Sequence, residues 1–247
     1  MVTAPAACDS IILLTGPIEA AALAGVLGLR NSTIDIRHVA TLDELEALSP
    51  ADLARSRLVA FSTTVIVPGP ILDALGYGAY NFHPGPPDYP GWCPAPMAIY
   101  DRAATFGVTA HVMLDRVDSG PIVGVEIFCV PAGTTVAKLE QMAFVALARL
   151  FWNLAQSLTG REPLATQPIA WSGVKSTRRL YQDLREATAS ISKDDLDRRV
   201  AVFGDAGTGD DLTIMLHGHR FRYVAPENAA AAARPEMLAI ERFAKSA

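Results

Sequence analysis

Short apolar runs alternate with helical stretches through the first two-thirds of the chain, and this alternation limits the fold more than any other feature. Residues 10–14 read as a buried strand. Residues 18–29, rich in Ala and Leu and entered through Thr15-Gly16-Pro17, read as a helix. A second strand is expected over 33–37, then helices over 42–48 and 50–55, with Thr41 and Ser49 as N-caps. A third strand over 58–61, a short helix over 70–75 and a fourth strand over 78–82 follow. Strand–helix alternation of this kind predicts an α/β fold with a mostly parallel central sheet.

The texture changes at Pro84. Six of the 17 prolines fall between 84 and 96. Proline removes a backbone donor and fixes φ, so this stretch is expected to be a rigid loop, neither helix nor central strand. A helix resumes over 98–103, and strands are expected over 108–114 and 122–129. Thr134 or Thr135 then caps a long helix. Its apolar positions Leu139, Met142, Ala146, Leu150, Leu154 and Leu158 step by three and four, and Gly160 stops it. Beyond Gly160 the pattern loosens: a short helix over 192–200, strands over 212–216 and 221–224 forming a hairpin, and an Ala-rich terminal helix over 226–247. This divides the chain into a catalytic domain, 1–160, and a small C-terminal α+β appendage, 161–247.

Composition narrows the class. The chain has 247 residues, half of them hydrophobic, which supports a sizeable core and excludes wholesale disorder. Lys plus Arg is 21 and Asp plus Glu is 26, a formal charge of −5. That balance argues against nucleic acid as the main partner. Cys8, Cys93 and Cys129 form no CxxC pair, so neither a zinc site nor a disulfide framework is expected. Residues 1–8 carry no Lys or Arg and make a poor secretory signal, and the apolar stretch 142–158 is broken by Arg149, Asn153 and Gln156. A cytoplasmic protein without a membrane segment is expected.

The chemistry concentrates in Asn81-Phe82-His83-Pro84-Gly85. Side chains alternate along a strand, so Asn81 and His83 share one face and Phe82 takes the other. They stand at the carboxyl end of a strand, where open parallel sheets bind ligands. An amide donor beside an imidazole suits acyl transfer, in which a carbonyl oxygen gains charge while an attacking group loses a proton. Asp118, in the loop Asp118-Ser119-Gly120-Pro121 between two strands, is the best candidate to complete the set.

The ordered set Asn81-x-His83, a Pro/Gly loop ending Tyr89-Pro90-Gly91, Phe106-Gly107-Val108-Thr109-Ala110-His111 and Asp118-Ser119-Gly120-Pro121-Ile122 resembles the formyltransferases that use 10-formyltetrahydrofolate. These act on glycinamide ribonucleotide, methionyl-tRNA or amino sugars. The resemblance is strong over 57–130 and fainter over 191–203 and 216–224. It implies a Rossmann-like formyltransferase fold, with Asn81, His83 and Asp118 as catalytic residues and 10-formyltetrahydrofolate as co-substrate. It also implies that Thr64, Val65, Ile66 and Val67 hold the pterin, with Asp115 and Val117 on the opposite wall. Asn81 and a protonated His83 would stabilise the oxyanion while Asp118 supports the imidazole charge. The loop 85–90 is one residue shorter than the family's common form, and the part before Asn81 is also short.

The acceptor follows by elimination. Charge and length weigh against methionyl-tRNA, and the C-terminal hairpin weighs against glycinamide ribonucleotide. The expected activity is N-formyl transfer to a small-molecule amine, an amino sugar nucleotide first. A hydroxyornithine-type amine, methionyl-tRNA, formyltetrahydrofolate hydrolysis and a non-catalytic folate-binding module are the alternatives. Trp92, Tyr89 and Tyr100 are candidates to stack on the acceptor. His111 is read either as lining the site or as a structural histidine. The basic run Lys175-Ser176-Thr177-Arg178-Arg179 reads as a solvated helix start, and His217-x-His219 as an exposed turn with no metal. A homodimer is left open.

Overall fold

In the computed structural model, which describes residues 8–204 and 211–225, a six-stranded sheet forms the centre. Its strands are β1 (Ser10–Leu14), β2 (Asp35–Val39), β3 (Ser56–Phe61), β4 (Ala79–His83), β5 (Thr105–Val112) and β6 (Ile122–Cys129). They lie in the order β2-β1-β3-β4-β5-β6, the first four parallel and the last two antiparallel. The expected α/β architecture with a mainly parallel sheet is therefore present. β1 and β3 are buried along their whole length, the reason they read as continuous apolar runs rather than alternating ones.

Helices cover both faces. On one lie α1 (Pro17–Arg30) and the long α6 (Val136–Leu158), burying Leu23, Leu27, Leu139, Leu147 and Phe151 against Ile11, Leu13, Phe61 and Phe82. Phe61, Phe82 and Phe151 pack as an aromatic cluster, with ring centroids 5.1 to 6.0 Å apart. On the other lie α2 (Leu42–Glu46), α3 (Pro50–Ala54) and α4 (Gly69–Ala74), covering Ile12, Leu14, Leu58 and Ala60. Thr41, Ser49 and Thr135 cap their helices by accepting the backbone N–H three residues on, as their side-chain oxygens predispose them to.

The proline-rich stretch departs from expectation at its end. Pro94–Tyr100 is helix α5, with Pro94 and Pro96 in its first turn. The first N–H groups of a helix have no intrahelical partner, so proline costs nothing there. Only residues 84–93 form the loop.

After α6 come α7 (Arg178–Leu184), the short β7 (Glu186–Ala187), α8 (Lys193–Phe203), β8 (Thr213–Leu216) and β9 (His219–Arg222). The last three strands make a small second sheet. The β8–β9 turn is shorter than the sequence pattern suggests. His217 and Gly218 both have positive φ, the geometry of a two-residue hairpin, and His219 and Arg220 extend β9. Leu184, Val202, Phe203 and Leu212 from this region pack with Met97 and Val136 of α5 and α6. The helix expected over 226–247 lies outside the described residues. Among those residues, no helix is long and apolar enough to cross a membrane.

Candidate active site

The site forms where β4 ends. Asn81 and His83 project to the face opposite Tyr80 and Phe82, which pack into the α6 side of the core. Antiparallel pairing sets Asn81 opposite His111 and His83 opposite Thr109, so all four side chains share one face. A register shift at Ala110/His111 bends the β5–β6 pair just before the loop that carries Asp118. Asp118 has φ of 43°, a left-handed conformation that a non-glycine residue adopts at a cost. That turn brings its carboxylate back over the sheet end.

The three candidate catalytic residues meet there, with His111 as a fourth member. Asp118 Oδ2 lies 3.6 Å from His83 Nδ1, and its Oδ1 lies 3.2 Å from His111 Nε2. His111 Nε2 is also 3.1 Å from Asn81 Nδ2, while its Nδ1 donates to the Val112 carbonyl at 2.8 Å. His83 Nε2 donates to the Tyr89 carbonyl at 3.0 Å, and the Gly91 N–H donates to Asp118 Oδ2 at 2.8 Å. The proline-rich loop thus supplies a backbone partner to both acid and imidazole. It approaches so closely that a Cβ at Gly85 would stand 2.6 Å from His83 Nε2.

His83, His111 and Asp118 are all buried, 3 to 5 % exposed. Burial alone would raise the Asp118 pKa. The hydrogen bond with His111, the neighbouring His83 ring and the Gly91 N–H outweigh it and bring the carboxyl down to about 2. His83 goes the other way: burial pushes its imidazole below the ordinary value, against the opposing pull of Asp118. With Nε2–H given to Tyr89, the open Nδ1 faces Asp118 and can take up a proton.

These groups open onto a cleft of about 780 Å³. Thr64, Val65, Ile66 and Val67 line one side, and Asp115, Val117 and Leu114 stand on the loop from β5. Ile66, Leu114 and Val117 are exposed, whereas Val67 is buried and also belongs to the core under α4. Arg116 is exposed and does not line the cleft. Exposed apolar side chains on two facing loops make a slot fitted to a flat ring system.

The far side of the cleft was not foreseen. Lys175, Ser176, Thr177 and Arg178 line it with Trp92, so the run expected to be a solvated helix start is in part a cleft wall. Arg178 stacks on Trp92, its guanidinium carbon 4.5 Å from the ring centroid. Loss of hydration pushes the Lys175 pKa down, and the Asp118 charge resists it. Of the three aromatic candidates, Trp92 alone faces the cleft. Tyr89 packs against Phe106, and Tyr100 donates to Asp195 at 2.6 Å. Glu140 of α6 also lines the cleft, with its carboxyl pushed up by burial. Trp171 packs behind the site, edge-on to His83 and His111. Nothing in its own sequence neighbourhood signals that placement. Among the described residues, no group of three His, Cys, Asp or Glu could hold a metal ion.

Asn81, His83 and Asp118 thus stand together at the carboxyl edge of the α/β sheet, at a cleft with an apolar side. Residues 40–146 match the formyl transferase family model. A methionyl-tRNA formyltransferase of Dechloromonas aromatica is 26% identical, over 68% of this chain and 58% of that protein. The chain spans about half the length of the curated relatives it matches. The fold is shared with a sugar N-formyltransferase from Shewanella sp. at a TM-score of 0.74 and 12% identity, covering 87% of this chain and 96% of that one. It is shared also with an N-formyltransferase of Helicobacter canadensis, solved with folinic acid and dTDP-3-aminofucose, at 0.60 and 16% identity, covering 85% and 84%.

Proposed function

We propose that this protein moves a formyl group from 10-formyltetrahydrofolate to the amine of an amino sugar nucleotide. The observation that carries the reading is the convergence of Asn81, His83 and Asp118 at the meeting point of two unlike half-clefts. One half is mainly apolar, from Val65, Ile66, Val67, Leu114 and Val117; the other is cationic and aromatic, from Lys175, Arg178 and Trp92. The first suits a pterin. The second suits a ligand with a ring to stack and phosphates to neutralise. Relatives that share the fold include the Helicobacter protein solved with a folate and a dTDP-amino sugar.

Each residue has a role that its geometry supports. Asn81 presents its amide to the cleft and supplies a donor where negative charge develops on a carbonyl oxygen. His83 takes the proton of the attacking amine at Nδ1, and Asp118, 3.6 Å away, stabilises the resulting imidazolium. His111 ties Asn81 to Asp118. When bound, the folate supplies the formyl carbon; the bond from that carbon to N10 breaks, and the proton taken up by His83 goes to N10 as tetrahydrofolate leaves. The Thr64–Val67 and Asp115–Val117 loops hold its ring, and the Lys175–Arg178 wall holds the acceptor. The region 161–247 is read as the module that shapes that acceptor side.

The test is a screen of acceptors with 10-formyltetrahydrofolate, following tetrahydrofolate release and formylated product. Amino sugar nucleotides, the matching free amino sugars, hydroxyornithine, charged methionyl-tRNA and an acceptor-free control form the panel. Turnover is expected with an amino sugar nucleotide, and Lys175→Ala and Arg178→Ala should each raise the acceptor KM roughly ten-fold. Equal turnover of the phosphate-free amino sugar, or release of tetrahydrofolate with water alone, would overturn the acceptor assignment.

A further inference from the structure

We propose that Trp171 is a positioning residue for the Asn81–His83–Asp118 site, and that the segment 164–176 is a strap that assembles it; this rests on the formyl-transfer reading of the cleft. Trp171 is not among the cleft-lining residues. It lies behind them, its ring edge-on to His111 at 5.1 Å and 87°, and to His83 at 6.0 Å and 70°. Its indole N–H donates to the Gly120 carbonyl at 2.9 Å. Gly120 stands two residues after Asp118, whose left-handed φ needs support from its surroundings. One side chain therefore contacts both imidazoles and pins the turn that carries their shared carboxylate.

The strap around it is stitched to β4, to the start of β6 and to the proline-rich loop. The Leu164 N–H donates to the Tyr80 hydroxyl, and the Gln167 N–H to the Ile122 carbonyl just beyond the Asp118 turn. The Ser172 and Ser176 N–H groups donate to the Pro87 and Pro90 carbonyls, and the Trp92 N–H donates to the Ser176 carbonyl. The proline-rich loop that this strap holds is the one whose Tyr89 carbonyl and Gly91 N–H contact His83 and Asp118. A Cβ on Gly91 would stand 2.3 Å from the Ser176 carbonyl oxygen, so loop and strap run in direct backbone contact. Imidazoles gripped from behind keep one tautomer and one orientation, which a proton transfer requires.

The test compares the full chain with Trp171→Phe and Trp171→Met. The Met variant should lose kcat about ten-fold, with KM for donor and acceptor changed less than three-fold, and the Phe variant should recover most of that loss. Ring 15N spectra of histidine-labelled protein supply a readout independent of turnover. Wild type should show His83 protonated at Nε2 and one fixed protonation pattern on the His111 ring, the Phe variant should retain both, and the Met variant should show mixed tautomers. A Met variant with wild-type kcat, a loss that Phe does not recover, or unchanged ring nitrogens would each overturn the proposal. If wild type turns over no acceptor, the formyl-transfer reading falls and the ring nitrogens alone decide the role of Trp171. If the Met variant does not fold, the wild-type spectrum decides: fixed tautomers support the role, averaged ones overturn it.

Discussion

Asp118 and His83 pull in opposite directions, and that opposition sets the pH behaviour of the site. The Asp118 carboxyl falls from 3.8 to about 2 on folding. A carboxyl lowered by folding contributes stability above its unfolded pKa and loses it as pH drops through the folded one. The contribution is about 2 kcal/mol. Urea midpoints measured from pH 5 to pH 2 should fall for wild type and fall less steeply for Asp118→Asn. His83, lowered below 6.5 by burial, likewise costs stability as pH falls below that value. At neutral pH, Asn81→Ala, His83→Ala and Asp118→Ala should each reduce kcat by roughly 10² to 10⁴, with little change in Tm for the first two and a drop of several degrees for Asp118→Ala. Near-wild-type rates for the His83 and Asp118 variants would sink the assignment.

Among the elements, α6 shows how a strand residue can govern a helix end. Arg57 of β3 is fully buried, and its guanidinium is spent on carbonyls. Its Nη1 donates to Ser157, Leu158 and Gly160 at 2.8 to 2.9 Å, Nη2 to Glu162 at 2.8 Å, and Nε to Tyr77 at 3.0 Å. The last carbonyls of a helix have no intrahelical donors and form its negative end, so a cation there is doubly favoured. Desolvation depresses the Arg57 pKa, the expected cost of a buried charge. Arg57→Met should destabilise the protein by roughly 3 kcal/mol, since several buried carbonyls lose their donor, and lower Tm by about 6–12 °C in a thermal melt. In the sequence, Arg57 simply precedes an apolar run. Its role depends on residues a hundred positions away, which no local pattern can encode.

For the molecule as a whole, the segment after α6 is continuous with the site. It caps Arg57 through residues 160–162, carries Trp171 behind the histidines and supplies the Lys175–Arg178 wall. A chain ending at residue 160 should therefore lose both stability and turnover. Its thermal melt should be broad or absent, and a separately expressed 161–247 fragment should restore activity only if it rebinds. A 1–160 fragment with a sharp melt and full turnover would show that the strap is dispensable.

Local pattern was enough for the α/β class, because strand and helix periods and capping residues act over a few positions. The order Asn81-x-His83 with Asp118 was legible for the same reason: a strand end and a tight loop announce themselves through alternation, Gly and Pro. For the fourth member, His111, the sequence leaves site-lining and structural readings equal, since its value comes from facing Asn81 across an antiparallel pair. Pro94 and Pro96 were misplaced because proline opens a helix as readily as it breaks one. Trp171, Arg57 and the cationic wall of Lys175 and Arg178 were decided by tertiary structure alone. They act on partners 51 to 105 positions distant or across the cleft, and the free energy of such contacts resides in burial and geometry that exist only once the chain has closed on itself.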